Sequence, residues 1–196
     1  MYAGFPEGQT ICYSDDHGST WRVAHTDGQD ATEGEVVELF PPKEPATTGD
    51  AGTTTTAAAA AASAAEPTLL YTIRAGSCTR AESISTNGGL SWSKATLAPS
   101  PMNVDPGCKG GVTRWEEGRA LVFANAGTCT GRIDTTVRLS LDNGKTWPHS
   151  QLLDTEGGYT TPAMLNGSVI GVVYEKGGCS ISIAIVDAKA IIGGDA

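Results

Sequence analysis

An octet of the form Ser-x-(Asp/Asn)-x-Gly-x-(Ser/Thr)-Trp is written three times in this chain, at residues 14–21, 85–92 and 140–147. Its residue types describe a tight turn. Asp16, Asn87 and Asp142 have short polar side chains that can hydrogen-bond the backbone two residues on, and Gly18, Gly89 and Gly144 can adopt a positive φ. The second copy carries an amide where the others carry an acid, so the position calls for turn chemistry rather than a catalytic carboxylate. Strand-like residues flank the octets, as in QTICY (9–13) and TVRLS (136–140), and each tryptophan can fold back over its turn as an apolar plug. Three hairpins are predicted.

The octets start at 14, 85 and 140, which gives intervals of 71 and 55 residues. A low-complexity Thr/Ala tract at 45–66 stretches the first interval, which shortens to 49 residues without it. A repeat of ~50 residues with short alternating strands suits propeller blades of four antiparallel strands. Helical solenoids of similar period would need long stretches of 3.6-residue periodicity, which the sequence lacks. The expected fold is all-β, with further strands at 35–40, 68–76, 111–115, 120–125, 160–165, 169–174 and 180–186. The Thr/Ala tract has no amphipathic face and is expected to be a disordered extension of an otherwise ordinary hairpin between EVVELF (35–40) and TLLYTIRAG (68–76).

Composition narrows the partners. A net charge of −9 leaves no basic surface to follow a phosphate backbone, so no nucleic acid is expected. No apolar run approaches the ~20 residues that span a bilayer. The N-terminus has neither a basic nor an apolar leader region, so no signal peptide is expected in the given chain, and its compartment stays open. The five cysteines are widely spread without a C-x-x-C pair and read as buried structural residues, at least one of them unpaired. His17, His25 and His149 lie in or near the octets without metal-ligand spacing, no G-x-S-x-G elbow occurs, and neither metal nor cofactor is expected.

Octets of this kind on β-hairpins are Asp-box, or BNR, repeats, and five segments between and around them resemble the C-terminal half of an exo-α-sialidase catalytic domain. EGEVVEL (33–39) resembles the family's E-x-x-x-x-E strand, YTIRAG (71–76) the strand ending in its second arginine, and GCKGGV (107–112) its glycine-rich turn. FANAGTCTGRIDTTVRLSLDNGKTW (123–147) resembles the segment carrying the third arginine, and GGYTTPAMLNGSVIGVVYEKG (157–177) the segment carrying the catalytic tyrosine and a downstream Tyr-Glu. The resemblance implies a six-bladed propeller, of which this chain would supply about three to four blades, and an enzyme that removes terminal sialic acid from glycoconjugates. It implies Tyr159 as nucleophile, Glu33 as its base, Arg74 and Arg132 as ligands of the substrate carboxylate, and Glu38 in support.

The chemistry suits the residue types. Arginine grips a carboxylate through two parallel charge-assisted hydrogen bonds and stays charged at any working pH. A substrate bearing a carboxylate on its anomeric carbon repels an approaching Asp or Glu, whereas a phenol is neutral. A tyrosine with a pKa near ~10 then needs a base. Glu35 is the alternative to Glu33, but Glu33 and Glu38 restore the family's spacing, and residues five apart in a strand face opposite sides. Arg138 belongs to the same motif as Arg132 and is expected to support its strand.

The family's (F/Y)-R-I-P motif and the aspartate that follows it are absent from these residues. The resemblance therefore implies that the first arginine, the general acid and the N-terminal blades lie upstream of Met1, and that the chain alone turns over no sialoside. The second reading is a non-catalytic Asp-box propeller that binds a protein or glycan. Transfer to a sugar instead of water is a third, which these residues do not separate from hydrolysis.

Overall fold

The computed structural model describes residues 10–25, 33–42, 66–76 and 78–193. Strands β1 (Thr10–Tyr13) and β2 (Arg22–His25) form a hairpin around the first octet. Strands β3 (Gly34–Glu38), β4 (Leu69–Arg74), β5 (Arg80–Ser85) and β6 (Thr96–Leu97) form an antiparallel meander, and β7 (Gly111–Trp115), β8 (Ala120–Ala126), β9 (Ile133–Ser140) and β10 (His149–Glu156) form another. A fourth sheet has the order β11 (Thr160–Asn166), β12 (Val169–Lys176), β13 (Ser180–Asp187), and a short helix α1 (Ala188–Gly193) follows it. The chain is all-β in separate antiparallel sheets, the blades of a partial propeller. The strands expected around 35–40 and 68–76 pair directly, Gly34 opposite Ile73. The Thr/Ala tract between them lies outside the described residues, apart from Glu66.

Four strands and the helix were not expected from the sequence. The β2, β6 and β10 strands are short or polar outer strands with little apolar alternation, and β5 reads RAESIS, in which Arg80 and Ser85 are buried. Their strand character comes from pairing with a neighbour. The outer strands of three sheets enter through the octets, whereas β13 leads into α1. On β13, Ile181, Ile183 and Ile185 alternate on one exposed face, which leaves this sheet an apolar surface uncovered by the described residues.

The core lies between blades. Ala24 of the β1–β2 hairpin packs with Tyr71, Ile73 and Trp92, Val37 and Leu70 meet Val112, Phe123 and Trp147 across the two four-stranded sheets, and Val122, Val137 and Leu139 meet Ile170, Val172 and Ile191. Each sheet thus buries a face against the next one, which fixes where the strand ends of different blades meet.

The octets close by one shared network. In the third, the Ser140 hydroxyl donates to Asp142 at 2.7 Å and accepts from the Gly144 N–H at 2.8 Å. Asp142 accepts from both the backbone N–H and the hydroxyl of Thr146 at 2.9 and 2.7 Å. Trp147 Nε1 donates to the Gly144 carbonyl at 3.0 Å. The first and second octets repeat the pattern, Asn87 accepting through Oδ1 and donating through Nδ2. The acceptor therefore reaches four residues on, two residues further than expected, because Gly18, Gly89 and Gly144 take φ of 86°, 92° and 85° and curl the backbone back over it.

The cysteines differ from expectation. Cys78 and Cys129 form a disulfide, Cys12 and Cys179 are exposed, and only Cys108 is a buried free thiol. The bridge joins two loops that become adjacent only through blade packing, so spacing along the chain could not reveal it.

Trp147 is 2% exposed and Trp21 65% exposed. Replacing Trp147 with alanine is expected to destabilise the chain by about 3–5 kcal/mol, and the same change at Trp21 far less, as read from denaturant midpoints. Burial raises the Asp142 carboxyl, but its bonds from Thr146 and Ser140 outweigh this and hold it below the ordinary 3.8. A depressed carboxylate stabilises the fold above its unfolded pKa, and that contribution is lost as pH falls through the folded value. Asp142→Asn is expected to flatten the acid limb of the stability profile below about pH 4, measured by denaturation at stepped pH.

Candidate functional site

The octets and the site residues occupy opposite rims. Each octet follows the end of β1, β5 or β9, whereas Glu33 immediately precedes β3, Arg74 ends β4, Arg132 precedes β9 and Tyr159 precedes β11. Antiparallel pairing places the end of β4 beside the start of β5, Arg74 opposite Arg80. Strand β7 lies between β3 and β11 across the blades, so the segments that start them converge.

Four of the five candidate side chains meet there. Tyr159 Oη donates to Glu33 Oε1 at 2.6 Å. Arg74 Nη1 donates to Glu33 Oε2 at 2.8 Å and to Tyr159 Oη at 3.0 Å. The Arg132 guanidinium lies 5.1 Å from the centre of the Tyr159 ring, and its Nη1 donates to Glu175 Oε2 at 3.1 Å. Glu38 does not join them. It forms an ion pair with Arg114 at 3.1 Å on the flank of β7, as strand alternation puts Glu33 and Glu38 on opposite sides.

Glu35 turns toward the neighbouring blade, where it accepts from Lys109 Nζ at 3.1 Å and from the Val112 N–H at 3.2 Å. It anchors the glycine-rich turn, and Glu33 holds the phenol. The turn is closely packed: a Cβ on Gly111 would lie 2.5 Å from Pro162 Cδ and 2.9 Å from Glu35 Oε2, and one on Gly110 would lie 2.7 Å from the Phe123 ring. Only glycine lets the turn pass between β8 and β11.

Below the site is a buried polar layer. Arg80 and Asp105 form an ion pair at 2.8 Å with no exposure of either side chain. Asp105 also accepts the backbone N–H groups of Gly107 and Cys108 at 2.7 and 2.8 Å, and Arg80 donates to the Cys108 carbonyl at 2.8 Å. Arg138 donates to Asn125 at 2.6 Å, and Asn125 donates to Asp105 at 3.3 Å. Burial lowers the Arg138 pKa to about 10 despite the charge of Asp105, which leaves it a cation at neutral pH. Arg138 supports its strand from the interior.

Sequence reasoning passed over Glu175 and the Arg80–Asp105 pair. Glu175 accepts from both Arg132 and the Tyr159 N–H, the latter at 3.2 Å, so one carboxylate sets both groups. Its signal was the Tyr-Glu pair downstream of Tyr159. Arg80 and Asp105 had none, because nothing in TRAESIS or NVDPG distinguishes a buried ion pair from surface charges.

The electrostatics separate the acid from the base. Burial raises the Glu33 carboxyl, yet the hydrogen bonds from Tyr159 and Arg74 and the charges of Arg74 and Arg132 outweigh it, holding the group below the ordinary 4.5. The hydrogen bond to Glu33, burial and the charge of Glu33 raise the Tyr159 phenol above 10.0, with Arg74 opposing. At neutral pH the pair is therefore a neutral phenol donating to an ionised carboxylate, with two cations beside it. Such a pair can transfer a proton while the phenol oxygen forms a new bond, and the cations can hold an anion against it. Among the described residues, no group of three His, Cys, Asp or Glu side chains converges as a metal site would, and no helix is long and apolar enough to cross a membrane.

A family model described as a BNR repeat-like domain matches residues 6–182. The chain belongs to this family. Its BNR repeats are the octets, and its sequence relatives are sialidases. A sialidase of Micromonospora viridifaciens is 30% identical over 175 residues, covering 84% of this chain and 23% of the relative. A sialidase of Bacteroides fragilis strain YCH46 is 41% identical over 76 residues, covering 37% of this chain and 14% of the relative. The chain thus spans less than a quarter of the length of either. Among solved structures, the Hadza microbial sialidase Hz136 superposes with a TM-score of 0.71 at 25% identity over 94% of this chain and 33% of that one. A leech intramolecular trans-sialidase gives 0.70 at 20% identity over 94% and 28%, a likeness of fold.

Glu33→Gln removes the largest cause of the raised Tyr159 pKa. The phenol is expected to ionise at lower pH in that variant, as measured by ultraviolet difference titration against Tyr159→Phe. An unchanged titration would reject the Glu33–Tyr159 coupling.

Proposed function

We propose that this chain bears the nucleophile, the base and two carboxylate-binding arginines of an exo-α-sialidase, a glycosidase that releases terminal sialic acid from glycoproteins, glycolipids or oligosaccharides. The observation that carries the reading is the 2.6 Å hydrogen bond from Tyr159 Oη to Glu33 Oε1, with Arg74 donating to the phenol oxygen and to the other carboxylate oxygen, Glu33 Oε2. Relatives named as sialidases support the substrate class.

Arg74 and Arg132 hold the sugar carboxylate as anion ligands, which places the anomeric carbon over the phenol. Tyr159 Oη then forms a bond to that carbon, its proton passes to Glu33, and the bond to the leaving oxygen breaks as that oxygen takes a proton from the family's acid–base aspartate. In the second half, water attacks from the face that the leaving group vacated and gives a proton to the family's acid–base aspartate, while the departing phenol recovers its own proton from Glu33. Two displacements retain the configuration. A neutral nucleophile avoids the repulsion that a carboxylate would meet from the substrate's own anion. The raised phenol pKa keeps the resting nucleophile neutral, and the lowered Glu33 pKa keeps the base ready to accept.

The aspartate that protonates the leaving group in sialidases has no motif match in these residues, so a test of the nucleophile should not depend on it. A sialosyl fluoride with a second fluorine on the neighbouring ring carbon meets this need, because fluoride departs without a proton. Incubation with the folded chain is expected to leave one glycosyl adduct on the peptide containing Tyr159, read by mass spectrometry. Tyr159→Phe is expected to abolish the adduct, and Glu33→Gln to slow it by about a hundredfold or more. No adduct on the folded chain, or equal labelling of Tyr159→Phe, would reject the assignment.

A further inference from the structure

The turn between β4 and β5 and the loop between β8 and β9 are joined by the Cys78–Cys129 disulfide, with the two residues 51 apart in sequence and their Cα atoms 4.6 Å apart. Cys78 lies four residues after Arg74, and Cys129 three residues before Arg132. The bridge therefore connects the two segments that present the paired guanidiniums.

Its two ends differ in how they are held. The β4–β5 ladder runs up to Arg74 opposite Arg80, and the Cys78 N–H donates to the Asp105 carbonyl at 2.6 Å. Asp105 is itself fixed by the fully buried pair with Arg80. The β8–β9 loop is held mostly by its own short-range bonds, Thr128 to the Gly131 carbonyl and the Gly127 N–H to the Asp134 carbonyl, with the Gly157 N–H on the Arg132 carbonyl. The Arg132 side chain is half exposed. Glu175 orients the guanidinium itself at 3.1 Å, but the loop that carries it is held by few bonds to other strands, and only a narrow range of separations from Arg74 lets both arginines hold one anion.

We infer that the Cys78–Cys129 bridge is a positioning brace that transmits the rigidity of the Arg80–Asp105 layer to the Arg132 loop, fixing Arg132 against Arg74 for a shared anionic ligand. The inference rests on the reading of these arginines as carboxylate ligands. Cys78 is exposed and Cys129 partly so, hence a soluble phosphine reaches the bridge. The phosphine supplies two electrons and water two protons to convert it to two thiols, and the phosphine ends as its oxide with the oxygen of that water.

The test is a binding cycle on the full chain with the unsaturated glycal analogue of sialic acid, followed by calorimetry. The forms compared are the chain itself, Cys78→Ser with Cys129→Ser, Arg132→Ala, and all three substitutions together. Loss of the bridge is expected to weaken binding about fivefold or more, and to have no further effect once Arg132 is alanine. The phosphine-reduced chain should match the double serine variant, and it replaces that variant if the latter fails to fold. Backbone amide spectra of β11–β13 are expected to be unchanged. Unaltered affinity without the bridge, or an equal loss in the Arg132→Ala background, would overturn the brace. Absence of binding to the intact chain, or binding indifferent to both Arg132→Ala and Arg74→Ala, would instead sink the carboxylate-ligand reading and the brace with it.

Discussion

A guanidinium and a carboxylate with no access to water, Arg80 and Asp105, hold the two four-stranded blades in register beneath the site. Arg80 belongs to β5 and Asp105 to the connection leading into β7, so the pair spans the boundary between sheets. Buried ion pairs of this kind add little net stability over an apolar pair, but leaving one partner alone costs about 3–5 kcal/mol. Their effect is geometric. Asp105 uses its second oxygen to shape the turn at Gly107 and Cys108, which sets the start of β7 and the packing of Gly110 and Gly111 against Phe123 and Pro162. Through Asn125 and Arg138 the same layer reaches β8 and β9.

On that platform the strand ends deliver a compact set of opposite charges. Glu33, Arg74 and Tyr159 come from three segments and share two short hydrogen bonds to one carboxylate. Glu175 orients Arg132 and the Tyr159 backbone together. The arrangement keeps the phenol neutral and the carboxylate ionised, because the cations stabilise the glutamate while the glutamate opposes a second negative charge on the phenol oxygen. The octets contribute none of these groups. They close the opposite rim, where Trp92 and Trp147 fill the spaces between blades.

Legibility in the sequence followed the range of the interactions concerned. The octets were readable because their hydrogen bonds run over at most four residues, so residue types at fixed offsets specify them, and the apolar strands at 111–115, 120–125 and 169–174 were readable from composition. The polar outer strands β6 and β10 were not, because they acquire their conformation from a partner. Glu33, Arg74, Arg132 and Tyr159 were named through motif resemblance alone, since nothing local marks a glutamate that will meet a tyrosine 126 residues away. Glu38 was named by the same resemblance, and it pairs with Arg114 on the side of the strand away from Glu33, where alternation puts it.

The sequence by itself determined the turn chemistry, the all-β character and the approximate period of the repeat, all of which are set by φ preferences, short-range hydrogen bonds and apolar alternation. Tertiary structure decided which of three glutamates faces the phenol, which cysteines pair, and that Glu175 and Arg80 matter to the site. Those outcomes depend on blade faces packing against one another, where distances of a few ångströms arise between residues that the chain keeps far apart.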